Sequence, residues 1–270
     1  MADVTQDADV LIVERADGVA TLRLNRPAVR NALSATLIIA LQRAMSELDR
    51  DDEVDVVVLT GADPAFCAGL DLNELGEGGA ALGLGSSPDG STPASPWPAI
   101  GKPVIGAVNG VAVTGGLELA LHCDILVASD RAAFADTHAR VGVMPGWGLS
   151  VLLPRAVGTR MARQMSLTGH VLSAEEALRA GLVTAVVPHA ELLTHVHQVA
   201  TAIVGNNRAA VRTLLATYRR IEADLDGPGL RTEAAASRAW LDRNFQPAAV
   251  ARHRAAVTGR GRAQDGGSAT

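Results

Sequence analysis

Residues 10–15 and 19–24 are strand-like runs on either side of the turn residues Ala16-Asp17-Gly18, the second alternating between apolar and polar positions, and this pattern predicts a β-hairpin. The period then changes. Ser34 stands where an N-cap would, and Leu37, Ile38, Leu41, Met45 and Leu48 recur at helical spacing. Residues 54–60 are a nearly continuous, Val-rich apolar run of the kind that forms a strand buried on both faces. Residues 104–108 and 125–128 repeat that signature, with a helix predicted between them from Gly115-Gly116 through Leu121. Strands alternating with helices over short links predict an α/β domain with parallel strands. Beyond Gly148 the strand signal is confined to residues 182–187. The remainder reads as helices over 149–157, 160–167, 173–180, 191–204, 207–220 and 230–245, with a last segment from Pro247. The stretch 73–98, rich in Gly, Ser and Pro, is predicted as a mobile loop or lid.

Composition narrows the class. Aromatic residues supply 3% of the chain against 48% hydrophobic overall, so Ala, Val and Leu must build the core. Lys and Arg number 24 against 29 Asp and Glu, a net charge of −5, which argues against a nucleic-acid partner. There is no Lys/Arg-rich amphipathic helix and no apolar run of about 18 residues, which argues against a membrane. Cys67 and Cys123 lack the spacing of a disulfide framework or a zinc site, so a reducing cytoplasm is the expected compartment and no metal is expected. The acidic start of the chain does not read as a signal peptide.

Two loops invite chemistry. The stretch Gly110-Val111-Ala112-Val113-Thr114-Gly115-Gly116 follows a strand and opens a helix, but it lacks the Lys and Ser/Thr of a phosphate loop. It is either a tight turn that needs glycine or a source of backbone amides for an oxyanion. Ala65-Phe66-Cys67-Ala68-Gly69-Leu70-Asp71-Leu72 also follows a buried strand, and two such loops could each direct one amide at the same oxygen. Glu118 lies among Leu117, Leu119, Ala120 and Leu121, and reads either as a helix-start acid or as a buried functional carboxylate. His138, just before the run 141–148, is either a hydrogen-bonded loop residue or a proton-transfer group, with Asp136 a weaker candidate for the same work. His195 and His197 are two apart on a helix and do not share a face, which disfavours a metal site.

Taken together, Ala65 to Leu72, Lys102-Pro103-Val104-Ile105-Gly106-Ala107-Val108-Asn109-Gly110, Thr114-Gly115-Gly116-Leu117-Glu118-Leu119-Ala120 and Cys123-Asp124-Ile125 resemble the crotonase (enoyl-CoA hydratase/isomerase) superfamily. Gly142 to Gly148, Leu153 to Gly158, Leu167-Thr168-Gly169 and Ala177 to Val183 agree in order and spacing, so the resemblance covers about residues 10–258. It implies an α/β fold: a ββα spiral core with an acyl-CoA site over 10–200, a C-terminal helical trimerisation region over 201–258, and flexible tails at 1–9 and 259–270. It also implies a homotrimer or a hexamer formed as a dimer of trimers.

By the same resemblance, the amides of Ala68 and Gly115 form an oxyanion hole for the thioester carbonyl. Arg26, Ala28 and Arg30 fall in the segment that contacts the CoA nucleotide, with Ala28 where the family often has lysine. Cys67, Gly69, Asp71, Leu72 and Gly116 complete the substrate-binding set, and no cofactor is implied beyond the coenzyme A that the substrate carries. Glu118 matches the first of the two glutamates that hydratases of the family use, and His138 occupies the position of the second. The expected activity is water addition to a 2-enoyl-CoA. The rivals are another crotonase-type reaction, such as isomerisation, thioester hydrolysis or retro-aldol cleavage, and a non-catalytic acyl-CoA binding protein.

Overall fold

A computed structural model describes residues 10–76 and 94–247 of the 270-residue chain. Most of the predicted lid, both tails and residues 248–258 lie outside the described residues. The hairpin forms as β1 (Leu11–Ala16) and β2 (Val19–Leu24), paired antiparallel from Leu11 with Leu24 to Ala16 with Val19. Helix α1 (Ala35–Arg50) starts at Ser34, whose side chain accepts from the Leu37 amide at 3.1 Å. Strands β3 (Val56–Gly61), β5 (Val104–Val108), β7 (Ile125–Ser129) and β10 (Ala185–Val187) extend the sheet in parallel, in the order β1-β2-β3-β5-β7-β10.

The unbroken apolar runs of these strands are explained by helices on both faces of the sheet. Val57, Leu59, Val104 and Val108 pack with Leu37, Ile38, Leu41 and Met45 of α1. The alternate residues Val56, Val58, Ile105 and Ala107 pack with Leu192, Val196 and Ala200 of the helix Leu192–Val204. That helix runs across residue 200 and packs on the sheet as far as Val204.

A second sheet went unpredicted. Strands β4 (Ala65–Cys67), β6 (Val111–Val113), β8 (Ala133–Ala135) and β9 (Val171–Ser173) form a four-stranded sheet in the order β4-β6-β8-β9. Each is three residues long, too short for its hydrophobic period to register. Two of them lie inside the segments read as glycine loops. The chain therefore winds as repeated ββα units: β3 and β4 lead to α2 (Leu72–Gly76), β5 and β6 to α3 (Gly115–Leu121), and β7 and β8 to α4 (His138–Val141). Because β4, β6 and β8 are parallel neighbours, the segments that leave their carboxyl ends lie side by side. This gathers residues 68–71, 114–118 and 136–138 at one place.

The helical remainder comprises α5 (Leu149–Val157), α6 (Thr159–Thr168), α7 (Ala174–Ala180), α8 (Leu192–Val204) and α9 (Arg208–Asn244). Helix α9 joins two helices expected to be separate. It runs through Gly227-Pro228-Gly229, where a proline is usually disruptive because it removes one backbone donor and crowds the preceding turn. The Pro228 carbonyl accepts from Thr232 Oγ1 at 3.0 Å, and Asp226 binds Arg155 of α5. At Gly229 any Cβ would stand 2.9 Å from Val151 Cγ2, so the glycine allows α9 to press against α5.

Candidate active site

Residues 26–31 brace strand β4 and the loop that follows it. Asn31, fully buried and held at φ 56°, donates to the carbonyls of Ala62 and Ala65 at 2.7 Å each. Arg26 spends its guanidinium on the Ala32 carbonyl at 2.5 Å and on Asp71 at 2.9 Å. Asp71 also accepts from the Asn73 amide at 3.0 Å, at the start of α2. Arg26 and Asp71, expected as substrate ligands, thus form a largely buried pair that holds the loop. Ala28 and Arg30 are exposed beside the 3-10 turn Pro27–Val29, and Leu72 is half-buried. Cys67 is fully buried with its thiol pushed up to about 12 by burial, so it is an inert packing group.

The first oxyanion donor needs correction. The Ala68 amide donates to the Arg30 carbonyl at 3.0 Å and is therefore committed to the chain itself. Two residues on, the Leu70 amide has no backbone acceptor among the described residues, and neither has that of Gly115. A Cβ placed on Gly115 would stand 3.8 Å from the Leu70 nitrogen, and one placed on Gly69 would stand 3.4 Å from the Gly115 nitrogen. The neighbouring amides left without a backbone acceptor are therefore those of Leu70 and Gly115. Gly116 lets α3 approach the β4 strand, because a Cβ there would lie 2.1 Å from the Cys67 carbonyl oxygen.

Thr114 aims the start of α3. Its backbone sits at φ 56°, ψ −114°, a region that costs a non-glycine residue about 1–3 kcal/mol. The strain is held by the bond from its amide to the Ala135 carbonyl at 2.9 Å and by the contact between the Thr114 and Thr137 hydroxyls at 2.5 Å.

Glu118, Asp136 and His138 meet in the interior with at most 4% of each exposed. Glu118 Oε1 accepts from the amides of Trp147 at 2.7 Å and Gly146 at 3.2 Å, and Oε2 lies 3.5 Å from His138 Nε2. On its other side, His138 Nδ1 meets Asp136 Oδ1 at 2.7 Å. Burial works against a charged imidazole here, but the hydrogen bonds and charges of Asp136 and Glu118 overcome it and raise His138 to about 9. Burial likewise opposes the Asp136 carboxylate, yet His138 holds its carboxyl below the usual range, with help from Ser166. The arrangement can present a cationic Nε2–H donor directly beside a carboxylate oxygen. That is a paired proton donor and proton acceptor.

The sequence reading passed over His122, one helical turn after Glu118. Its Nε2–H donates to the Trp147 carbonyl at 2.6 Å, and its ring forms a T-shaped pair with Trp97 at a centroid distance of 5.9 Å. Burial lowers its pKa, consistent with a neutral ring. Helix α3 and its C-cap residue His122 therefore hold both backbone polar groups of residue 147, the amide through Glu118 and the carbonyl through His122. No cluster of three or more metal-ligating side chains occurs among the described residues. No helix among them is long and apolar enough to cross a membrane.

The chain is similar to known proteins over most of its length. The family model for enoyl-CoA hydratase/isomerase matches residues 14–245. The crystal structure of an enoyl-CoA hydratase from Mycobacterium smegmatis is 58% identical with a TM-score of 0.79, covering 86% of this chain and 98% of that one. That of an enoyl-CoA hydratase from Mycobacterium tuberculosis is 56% identical with a TM-score of 0.78, covering 86% and 99%. The short-chain-enoyl-CoA hydratase of Clostridium acetobutylicum is 37% identical over 218 residues, 80% of this chain and 84% of that protein.

Proposed function

Since the chain belongs to the enoyl-CoA hydratase/isomerase family, we propose that it adds water to a 2-enoyl-CoA to give a 3-hydroxyacyl-CoA. The observation that carries this reading is the facing of Glu118 Oε2 and His138 Nε2 at 3.5 Å, with Glu118 on the helix that starts at Gly115 beside Leu70. Glu118 takes a proton from water as the water oxygen bonds to Cβ. The π pair moves toward the thioester carbonyl, whose developing negative charge accepts from the two amides. A preorganised donor of this kind contributes about 3 kcal/mol to transition-state stabilisation. The enolate then takes a proton at Cα from His138 Nε2. Transfer from Glu118 Oε2 to His138 Nε2 restores both groups for the next turnover.

The reaction needs no cofactor, and coenzyme A enters as part of the substrate. Arg30, exposed at the edge of the loop, suits the CoA phosphates; Arg26, engaged with Asp71, does not. The proposed assembly is a homotrimer or a pair of trimers. Leu214, Tyr218, Ile221 and Leu225 support it, since they lie 60%, 65%, 53% and 70% exposed at helical spacing along α9. Free thiols at Cys67 and Cys123 support a reducing, cytoplasmic location.

The test is hydration of crotonyl-CoA and of a longer 2-enoyl-CoA by the purified protein, beside Glu118→Gln and His138→Ala, with products identified by mass. Loss of about 10²- to 10⁴-fold in each variant, with acyl-CoA binding retained, is expected for a general base and a general acid. Binding without turnover by the wild type would overturn the hydratase reading in favour of an acyl-CoA binding protein.

A further inference from the structure

Helix α9 reaches the active site through one face. Leu230, Glu233, Ser237 and Trp240 follow at spacings of three and four, so they line up along the helix. All four meet the segment 142–150. Trp240 Nε1 donates to the Gly142 carbonyl at 3.0 Å, and Ser237 Oγ lies 3.8 Å from where a Cβ on Gly146 would be. Leu230 Cδ2 lies 2.9 Å from where a Cβ on Gly148 would be, and Gly148 adopts φ 91°. Glu233 Oε1 accepts from the Gly148 amide and Oε2 from the Ser150 amide, both at 2.6 Å, although the residue is only 7% exposed.

The amides of residues 146–150 are thus divided between two carboxylates. Those of Gly146 and Trp147 go to Glu118, and those of Gly148 and Ser150 go to Glu233. A buried carboxylate is costly unless it is hydrogen-bonded, and here the same short segment supplies the bonds for both. Burial and the nearby Glu118 charge push the Glu233 carboxyl up, against the pull of its amide bonds, so the two groups are electrostatically aware of each other as well. The peptide that Glu233 anchors at Gly148 adjoins those that supply the Gly146 and Trp147 amides to Glu118.

We propose that Glu233 is a positioning residue for Glu118: from the C-terminal helix it fixes residues 146–148, whose amides orient the carboxylate that accepts the water proton. The inference rests on the reading of Glu118 as the general base. It makes α9 part of the catalytic support as well as part of the packing.

The experiment measures kcat and KM for crotonyl-CoA hydration, with thermal unfolding midpoints, for wild type, Glu118→Gln, Glu233→Ala, Glu233→Gln and Asp226→Asn. The last is a control, because Asp226 also ties α9 to α5, through Arg155, without touching residues 146–148. Assays run well below the lowest midpoint. The expected result is a fall in kcat of at least tenfold in Glu233→Ala with KM changed less than threefold. A smaller fall is expected in Glu233→Gln, which keeps one acceptor oxygen and serves as the readout should the alanine variant not fold. In Asp226→Asn the midpoint drops while kcat stays within twofold.

Wild-type kcat in the folded Glu233 variants, with Glu118→Gln inactive, would overturn this inference alone. So would an equal loss of kcat in Asp226→Asn. Full activity of Glu118→Gln would overturn the general-base reading, and the inference with it.

Discussion

Asp136 Oδ1 accepts twice from His138, from its backbone amide at 3.0 Å and from its Nδ1 at 2.7 Å. The double contact fixes the ring, so Nε2 can face only Glu118. It also links the site to stability. His138 is raised from 6.5 to about 9, so its contribution is fully present below pH 6.5 and is lost as pH rises through 9. Asp136 is lowered from 3.8, so its half of the same interaction is present above that pH and lost in acid. Unfolding free energy is expected to fall by up to about 3 kcal/mol between pH 6.5 and 10, counted once for the pair. Asp136→Asn should flatten that slope, which denaturant titrations at several pH values would measure. An equal slope in wild type and variant would refute the assignment.

The same shift predicts the alkaline limb of the activity profile. The proton for Cα comes from a protonated His138, so kcat/KM is expected to fall as pH passes about 9. With Asp136→Asn the ring loses its nearest carboxylate, and the limb should move toward the ordinary histidine range. Stopped-flow hydration between pH 5 and 10.5 reads both limbs directly. An unmoved limb would assign it to another group.

Gly116 and Gly142 offer a contrast between close packing and backbone preference. An added Cβ at Gly116 meets the Cys67 carbonyl oxygen at 2.1 Å, whereas at Gly142 it meets nothing within 4 Å although φ is 81°. Gly142→Ala should therefore cost only the roughly 1–2 kcal/mol of a left-handed alanine. Gly116→Ala must displace α3, and with it Glu118 and the Gly115 amide. Its expected cost is about 3 kcal/mol or more, with hydration reduced even where the protein remains folded. Unfolding midpoints and kcat for the two variants decide between these outcomes. Equal, small losses in both would mean that α3 can adjust without disturbing the site.

The long elements and Glu118 were legible because their signals are local. Val-rich runs, the Ser34 cap and the helical spacing over 37–48 need no tertiary information, and the motif around Gly115 and Glu118 is contiguous. The second sheet was not legible, since three-residue strands such as Ala65–Cys67 carry no period. Without that sheet, nothing in the sequence says that the Ala68 amide is already paired with Arg30 while the Leu70 amide is not. Arg26 and Asp71 misled for a related reason. Charged residues in a candidate binding loop look like ligands until their separation of 2.9 Å shows that they satisfy each other. Glu233 and His122 act through backbone groups of the segment 146–150, which no side-chain pattern records.

Arg26 and Arg30, four residues apart, should separate structural from ligand roles. The Arg26–Asp71 pair is 2.9 Å long with side chains 21% and 7% exposed, so Arg26→Ala leaves a carboxylate almost buried and unpaired. Such a break typically costs about 3–5 kcal/mol, reduced here because the arginine is partly in solvent. The expected signature is a lower unfolding midpoint with a similar change in KM for crotonyl-CoA and for crotonyl-pantetheine, which lacks the nucleotide. Arg30 is exposed, and Arg30→Ala should lower the midpoint less than Arg26→Ala does, while raising KM for crotonyl-CoA severalfold and leaving KM for the pantetheine thioester alone. If Arg26→Ala raised KM selectively for the CoA thioester, the pair with Asp71 would have to open on substrate binding, and Arg26 would return to the ligand set.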